Sequence, residues 1–148
     1  MEKIIRTLEE LAEEAVRFVG SLAPLVSSAR GATLVTLSGE LGAGKTAFAK
    51  AVANTLGVEE MVTSPTFVLE KIYLLPGGQS FKRLIHIDAY RLESGKDLDP
   101  LGFDELMQDT SNLILLEWPE KVAETLPTPS MHVSLAALPD GSRTISYD

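Results

Sequence analysis

The chain has 148 residues, 45% hydrophobic and 23% charged, with 13 Lys and Arg against 21 Asp and Glu and no Cys. A chain of this size can bury roughly 70% of the surface its unfolded form exposes, so residues 1–148 read as one domain that needs no staple; without Cys, a disulfide framework and a thiolate metal site are both excluded. The formal charge of −8 argues against a nucleic-acid clamp, because such clamps draw their affinity from Lys and Arg displacing counterions. No apolar run approaches the 18 or so residues of a membrane span. Glu2, Glu9, Glu10, Glu13 and Glu14 are foreign to a secretory signal, so a cytoplasmic protein with no membrane partner is the expectation.

Thr7 and Glu10 have the spacing of a capping box, and Leu8, Leu11, Ala12, Ala15, Val16 and Val19 recur on one helical face. A helix from about Leu8 to Val19 follows, closed by a loop around Pro24 and Ser28. Ala32 to Leu37 is β-branched and apolar, a buried strand ended by Ser38-Gly39. Lys45 to Leu56 returns to helical spacing through Phe48, Ala49 and Val52, with Gly57 as its stop. Phe67 to Leu74 and Lys82 to Ile87 form an antiparallel hairpin across the turn formers Pro76 to Ser80. The acidic stretch Asp97 to Asp109 reads as a mobile loop with one short helix near Asp104 to Met107. Asn112 to Leu116 is a buried strand that delivers Glu117 at its C-terminal end. Met131 to Ala137 and Arg143 to Tyr147 are the last strands, turned by Pro139 to Ser142. The order predicts an α/β fold: a mainly parallel central sheet flanked by helices, with an antiparallel hairpin extension.

Gly39-Glu40-Leu41-Gly42-Ala43-Gly44-Lys45-Thr46 matches G-x-x-x-x-G-K-[ST] at every fixed position. The missing Cβ atoms let backbone N–H groups turn inward around a phosphate, and the helix that follows offers its positive end to the same anion. Lys45 can reach the β and γ oxygens, and the Thr46 hydroxyl can ligate the magnesium that accompanies them. The strand before and the helix after supply the context that such a motif requires, so the α/β fold is expected to be P-loop NTPase-like.

Magnesium held by Thr46 and nucleotide oxygens alone would be poorly fixed, so a carboxylate is expected at a strand end. Asp88 and Glu117 both qualify, each following an apolar run, and spacing does not separate metal binding from water positioning between them. His86, two residues before Asp88, falls on the same strand face and reads as a structural histidine. Ser64-Pro65-Thr66-Phe67 offers hydroxyls on a turn that can sense a γ-phosphate or merely lead into the hairpin. Trp118 can stack on a base or pack. Arg91 can stabilise transferred charge or pair with the acidic stretch.

The four segments Gly39 to Thr46, Ser64 to Phe67, His86-Ile87-Asp88-Ala89-Tyr90-Arg91 and Glu117-Trp118-Pro119-Glu120, in this order and spacing, resemble the TsaE (YjeE) family of bacterial P-loop ATPases. Glu40 stands where that family more often has Asp, and Ala47 where a second Thr often follows. The resemblance implies an ATPase of the tRNA N6-threonylcarbamoyladenosine pathway that uses ATP and Mg²⁺ and acts on a complex of the TsaB and TsaD proteins. It also implies that Lys45 holds phosphate, that Thr46 and Glu117 hold Mg²⁺, that Asp88 assists hydrolysis, and that Thr7, Thr66 and Trp118 lie around the nucleotide. With Glu93, Asp97, Asp99, Asp104, Glu105 and Asp109 clustered, tRNA would be contacted mainly through the partners. Two rivals stand beside this reading. A small-molecule or nucleotide kinase would need an Arg-bearing lid, for which Arg91, Lys96, Lys121 and Arg143 are a thin supply. A non-catalytic nucleotide-sensing module would need only the phosphate cradle.

Overall fold

The computed structural model describes residues 2–28, 31–58 and 69–148, and for residues 23–28 the backbone alone. Its strands are β1 (Glu2–Ile5), β2 (Thr33–Ser38), β3 (Glu70–Leu74), β4 (Arg83–Asp88), β5 (Asn112–Glu117), β6 (Met131–Ala137) and β7 (Arg143–Tyr147). Its α-helices are α1 (Leu8–Ser28), α2 (Lys45–Thr55) and α3 (Phe103–Met107). Among the described residues the strands form one sheet in the order β1-β7-β6-β2-β5-β4-β3. The four central strands β6, β2, β5 and β4 run parallel, and β3, β7 and β1 are added antiparallel at the two edges.

Central parallel strands are covered on both faces, which is why β2 and β5 are buried without alternation. On one face Val35, Leu37, Leu113 and Leu115 pack with Phe18 and Leu22 of α1 and Phe48 and Val52 of α2. Phe18 and Phe48 meet edge to face at 5.2 Å between the two helices. On the other face Leu34, Ile85, Ile87, Ile114 and Leu116 pack with Leu98, Phe103 and Val122. The expected mainly parallel α/β sheet with an antiparallel hairpin is therefore present, with β3 and β4 as the hairpin's paired strands.

Three expectations need correction. β1 was not foreseen: four residues of which only Ile5 is buried, paired with β7 at the opposite end of the chain, leave no local signal. The first helix continues past Val19 and through Pro24 to Ser28. Proline removes one helical N–H and crowds the carbonyl four residues back, yet the helix continues beyond the core contacts that Ala15, Phe18 and Leu22 make. The short helix expected near Asp104 to Met107 is present as α3, but the rest of the acidic stretch is a 3₁₀ helix over Gly95–Leu101 that runs directly into it, not a mobile loop. Ser94 and Asp97 cap it reciprocally, and Leu98 and Phe103 are buried while Asp99, Asp104 and Glu105 are exposed.

The edge strands are tied to α1 by a buried acid. Glu14 is 1% exposed; its carboxylate accepts hydrogen bonds from Lys3 of β1 at 3.1 Å, from Arg17 at 3.0 Å and from the Tyr147 hydroxyl of β7 at 2.6 Å. Burial alone would raise its pKa, but hydrogen bonds from Tyr147, Arg17 and Lys3 hold it below the usual value. The same burial and the Glu14 charge push the Tyr147 phenol far above its usual range. This tie fixes the corner between β1 and α1, where Thr7 sits.

Candidate functional site

Parallel strands present their C-terminal ends along one edge of the sheet, and there the site is assembled. β2 ends at Ser38 and passes into the glycine loop; Leu37 lies opposite Glu117 of β5, and Glu117 lies opposite Asp88 of β4. The Ala89 N–H donates to the Glu117 carbonyl at 3.0 Å, closing the ends of β4 and β5 together. Trp118 follows in a left-handed conformation at φ 60°, and its N–H donates to the Leu37 carbonyl at 3.2 Å. That turn lays the indole beside the glycine loop.

The loop needs glycine at two positions for reasons visible in its packing. Gly39 has φ 152°, and a Cβ there would run into the Leu135 carbonyl of β6. Gly44, the N-cap of α2, has φ 105°, and a Cβ would lie 3.3 Å from Arg143 Nε. Leu41 stands at the tip of the loop, 70% exposed.

Lys45, the first residue of α2, is only 5% exposed. Its ammonium donates to the Gly39 carbonyl and, at 3.1 Å, to the Glu40 carbonyl, and it lies 4.1 Å from the centroid of the Trp118 ring. Burial pulls the Lys45 pKa below its usual value, and the nearby Glu117, Glu120 and Asp88 pull it back upward. Among the described residues no carboxylate forms an ion pair with it. A buried cation whose partners are two neutral carbonyls and a ring face is suited to an incoming anion.

Leu41, Gly42, Gly44, Lys45, Thr46, Ala47, Asp88, Tyr90, Glu117, Trp118 and Arg143 line one cleft of about 430 Å³. Both carboxylates at its floor are buried. Asp88 accepts the Tyr90 N–H at 3.0 Å, and Glu117 accepts from His86 Nε2 at 2.5 Å. Tyr90 and Trp118 pack at 5.0 Å between ring centroids. A smaller pocket of about 190 Å³ adjoins it across Gly44, Ala47 and Arg143, and Ile5, Leu8, Leu11 and Leu135 make it apolar. Thr7 lines it, with its hydroxyl accepting the Glu10 N–H at 3.1 Å, the capping interaction expected from the sequence.

These residues suit a magnesium nucleotide. Among the described residues no group of three or more His, Cys, Asp or Glu could hold a metal by itself. A cation here would take Thr46 and one carboxylate from the protein and the rest of its oxygens from phosphate, as Mg²⁺ does.

The family model described as threonylcarbamoyl adenosine biosynthesis protein TsaE matches residues 6–145. The chain belongs to the TsaE family. The tRNA threonylcarbamoyladenosine biosynthesis protein TsaE of Treponema pallidum is 40% identical over 114 residues, covering 77% of this chain and 80% of that protein. TsaE of Rickettsia bellii is 34% identical over 143 residues, covering 96% and 90%. The crystal structure of Bacillus subtilis YdiB superposes with a TM-score of 0.71 at 28% identity, covering 99% of this chain and 83% of that one.

Within this TsaE-family chain the structure brings Lys45, Thr46, Asp88, Glu117 and Trp118 into one cleft and puts Thr7 in the adjoining pocket. Thr66, with the rest of Ser64 to Phe67, lies outside the described residues. Arg91 is exposed and is not among the residues lining the cleft. Arg143 is the residue whose place the sequence left open. It opens β7 and borders both cavities, and its Nη1 donates to the Gly141 carbonyl at 3.1 Å. Only the turn formers Pro139 to Ser142 hinted at its position, and a hairpin turn says nothing of which loop it will face.

Proposed function

We propose that the chain is an Mg²⁺-dependent ATPase that acts on a TsaB–TsaD complex in the formation of N6-threonylcarbamoyladenosine at position 37 of tRNA. One observation carries the reading: a buried lysine at a helix N-terminus, with no carboxylate ion pair among the described residues, shares a cleft with two buried carboxylates at adjacent strand ends. Loop amides from Gly39 to Gly44 and the Lys45 ammonium bind the phosphates, and Thr46 and Glu117 hold the metal. Mg²⁺ held there would neutralise charge on the phosphates. Asp88 orients the attacking water and accepts its proton. The apolar pocket beside Thr7 receives the base, and Arg143, between the two cavities, supplies a second cation for the phosphate chain.

The isolated chain turns over slowly in this account. A positioned cationic finger is worth about 10³ to 10⁵ in rate, and Arg91, open in the sequence to that role or to pairing with the acidic stretch, does not line the cleft. Completion of the site therefore falls to the partner complex. With a formal charge of −8, the chain leaves tRNA binding to those partners, and the reaction belongs to the cytoplasm. Phosphate release from ATP, measured with the chain alone and then with TsaB and TsaD, tests the reading. Release stimulated by the partners supports it. Transfer to an added acceptor would make the chain a kinase instead, and nucleotide-dependent association without turnover would make it a sensor.

A further inference from the structure

Within the buried part of strand β4, beyond Arg83 at its half-buried start, one polar side chain has no place in phosphate binding. His86 is 1% exposed and its neighbours Leu84, Ile85 and Ile87 are all buried and apolar. Its Nε2 lies 2.5 Å from Glu117 Oε2, while Nδ1 is buried with no hydrogen-bond partner among the described residues. Against an ionised carboxylate the ring donates through Nε2–H, which leaves the Nδ1 lone pair bare. Burying an unsatisfied polar atom is unfavourable. An aliphatic side chain would pack this position without that cost, so a core-filling role does not account for a histidine here.

Strand geometry says what the imidazole reaches. His86 and Asp88 are two residues apart on β4 and share a face; Asp88 lies opposite Glu117 on β5. The ring is thus stacked below the two carboxylates, on the core side of the cleft that Glu117 lines. We propose that His86 is a positioning residue for the metal site: its Nε2–H holds one oxygen of Glu117 and thereby presents the other oxygen toward the cation beside Thr46. This rests on the reading of the cleft as a magnesium nucleotide site. Partners that orient a ligating side chain in this way commonly matter 10- to 100-fold in metal affinity.

The full chain can be titrated by calorimetry with adenylyl imidodiphosphate, once with Mg²⁺ and once with a chelator, and the ratio of the two dissociation constants is the readout. In His86→Leu the ratio should fall about 10- to 100-fold, or to unity if it starts lower, while the metal-free constant stays within about twofold. His86→Gln, whose amide nitrogen falls near the place of Nε2, should restore most of the ratio. If His86→Leu does not fold, His86→Asn, whose amide falls near Nδ1 and loses the Glu117 bond, should show the same loss. An unchanged ratio in the folded variant overturns the proposal, as does an equal weakening of both constants, which a merely structural histidine would give. A wild-type chain that binds the nucleotide no better with Mg²⁺ overturns the magnesium ATPase reading and this inference with it. A wild-type ratio above unity that His86→Leu preserves overturns this inference alone.

Discussion

Replacing Lys45 by Met separates what the lysine does for the fold from what it does for phosphate. In the folded chain the ammonium gains two carbonyl hydrogen bonds and a ring face at 4.1 Å but loses hydration, as its lowered pKa records. These terms oppose one another, and a Met of similar length fills the same space, so the unliganded stability should change by no more than about 1 kcal/mol. Phosphate has no such compensation. A hydrogen bond to a charged group is worth about 1.5–3 kcal/mol, so the loss should raise the ATP dissociation constant about 10²-fold. Thermal unfolding reads both quantities together. ATP at 100 times the wild-type dissociation constant stabilises by about 2.7 kcal/mol, which in a chain of this size moves the midpoint by about 5–10 °C. In Lys45→Met the same ATP concentration should give a shift of about 1 °C, with the unliganded midpoint nearly unmoved. A full ligand-induced shift in the variant refutes the role given to Lys45. A collapse of the unliganded midpoint would show that the lysine serves the fold.

Asp88→Asn keeps a side chain that can accept the Tyr90 N–H but removes the proton acceptor, so partner-stimulated phosphate release should slow by about 10²-fold or more with ATP affinity held within a few-fold; a rate within threefold of wild type would take Asp88 out of hydrolysis. Glu14→Gln tests the tie between β1, α1 and β7. Because the folded-state pKa of Glu14 lies below its usual 4.5, its contribution is present above that value and is lost as pH falls through the folded pKa. Denaturant unfolding should therefore show wild type more stable than Glu14→Gln by about 1–3 kcal/mol at pH 7, with the gap closing below about pH 4.5. A gap that stays constant with pH would contradict the assignment.

What the sequence made legible were features encoded locally. The glycine loop, the helical spacing of Phe48, Ala49 and Val52, the β-branched and apolar run of β2 and the apolar run of β5 are each encoded within a few residues, and the last two strands have the bounds their pattern gave. Features made by distant pairing were silent. β1 exists because β7, at the other end of the chain, has an edge to fill. The hydrogen bond between His86 and Glu117 depends on the register of β4 against β5, which period-two alternation alone does not set. Arg143 reaches the glycine loop because β7 runs beside β6, whose Leu135 carbonyl abuts Gly39. The acidic stretch misled for a different reason. Its density of charge suggests a mobile loop around one short helix; the helix is there, but Leu98 and Phe103 pack against Ile85 and Ile87 and order the rest.

The central claim is that one cleft binds a nucleotide together with a metal. Calorimetric titration of the wild-type chain with magnesium adenylyl imidodiphosphate tests it most directly. One saturable site per chain, weakened when the metal is chelated, is the predicted result. No heat at millimolar nucleotide, with or without Mg²⁺, would contradict it.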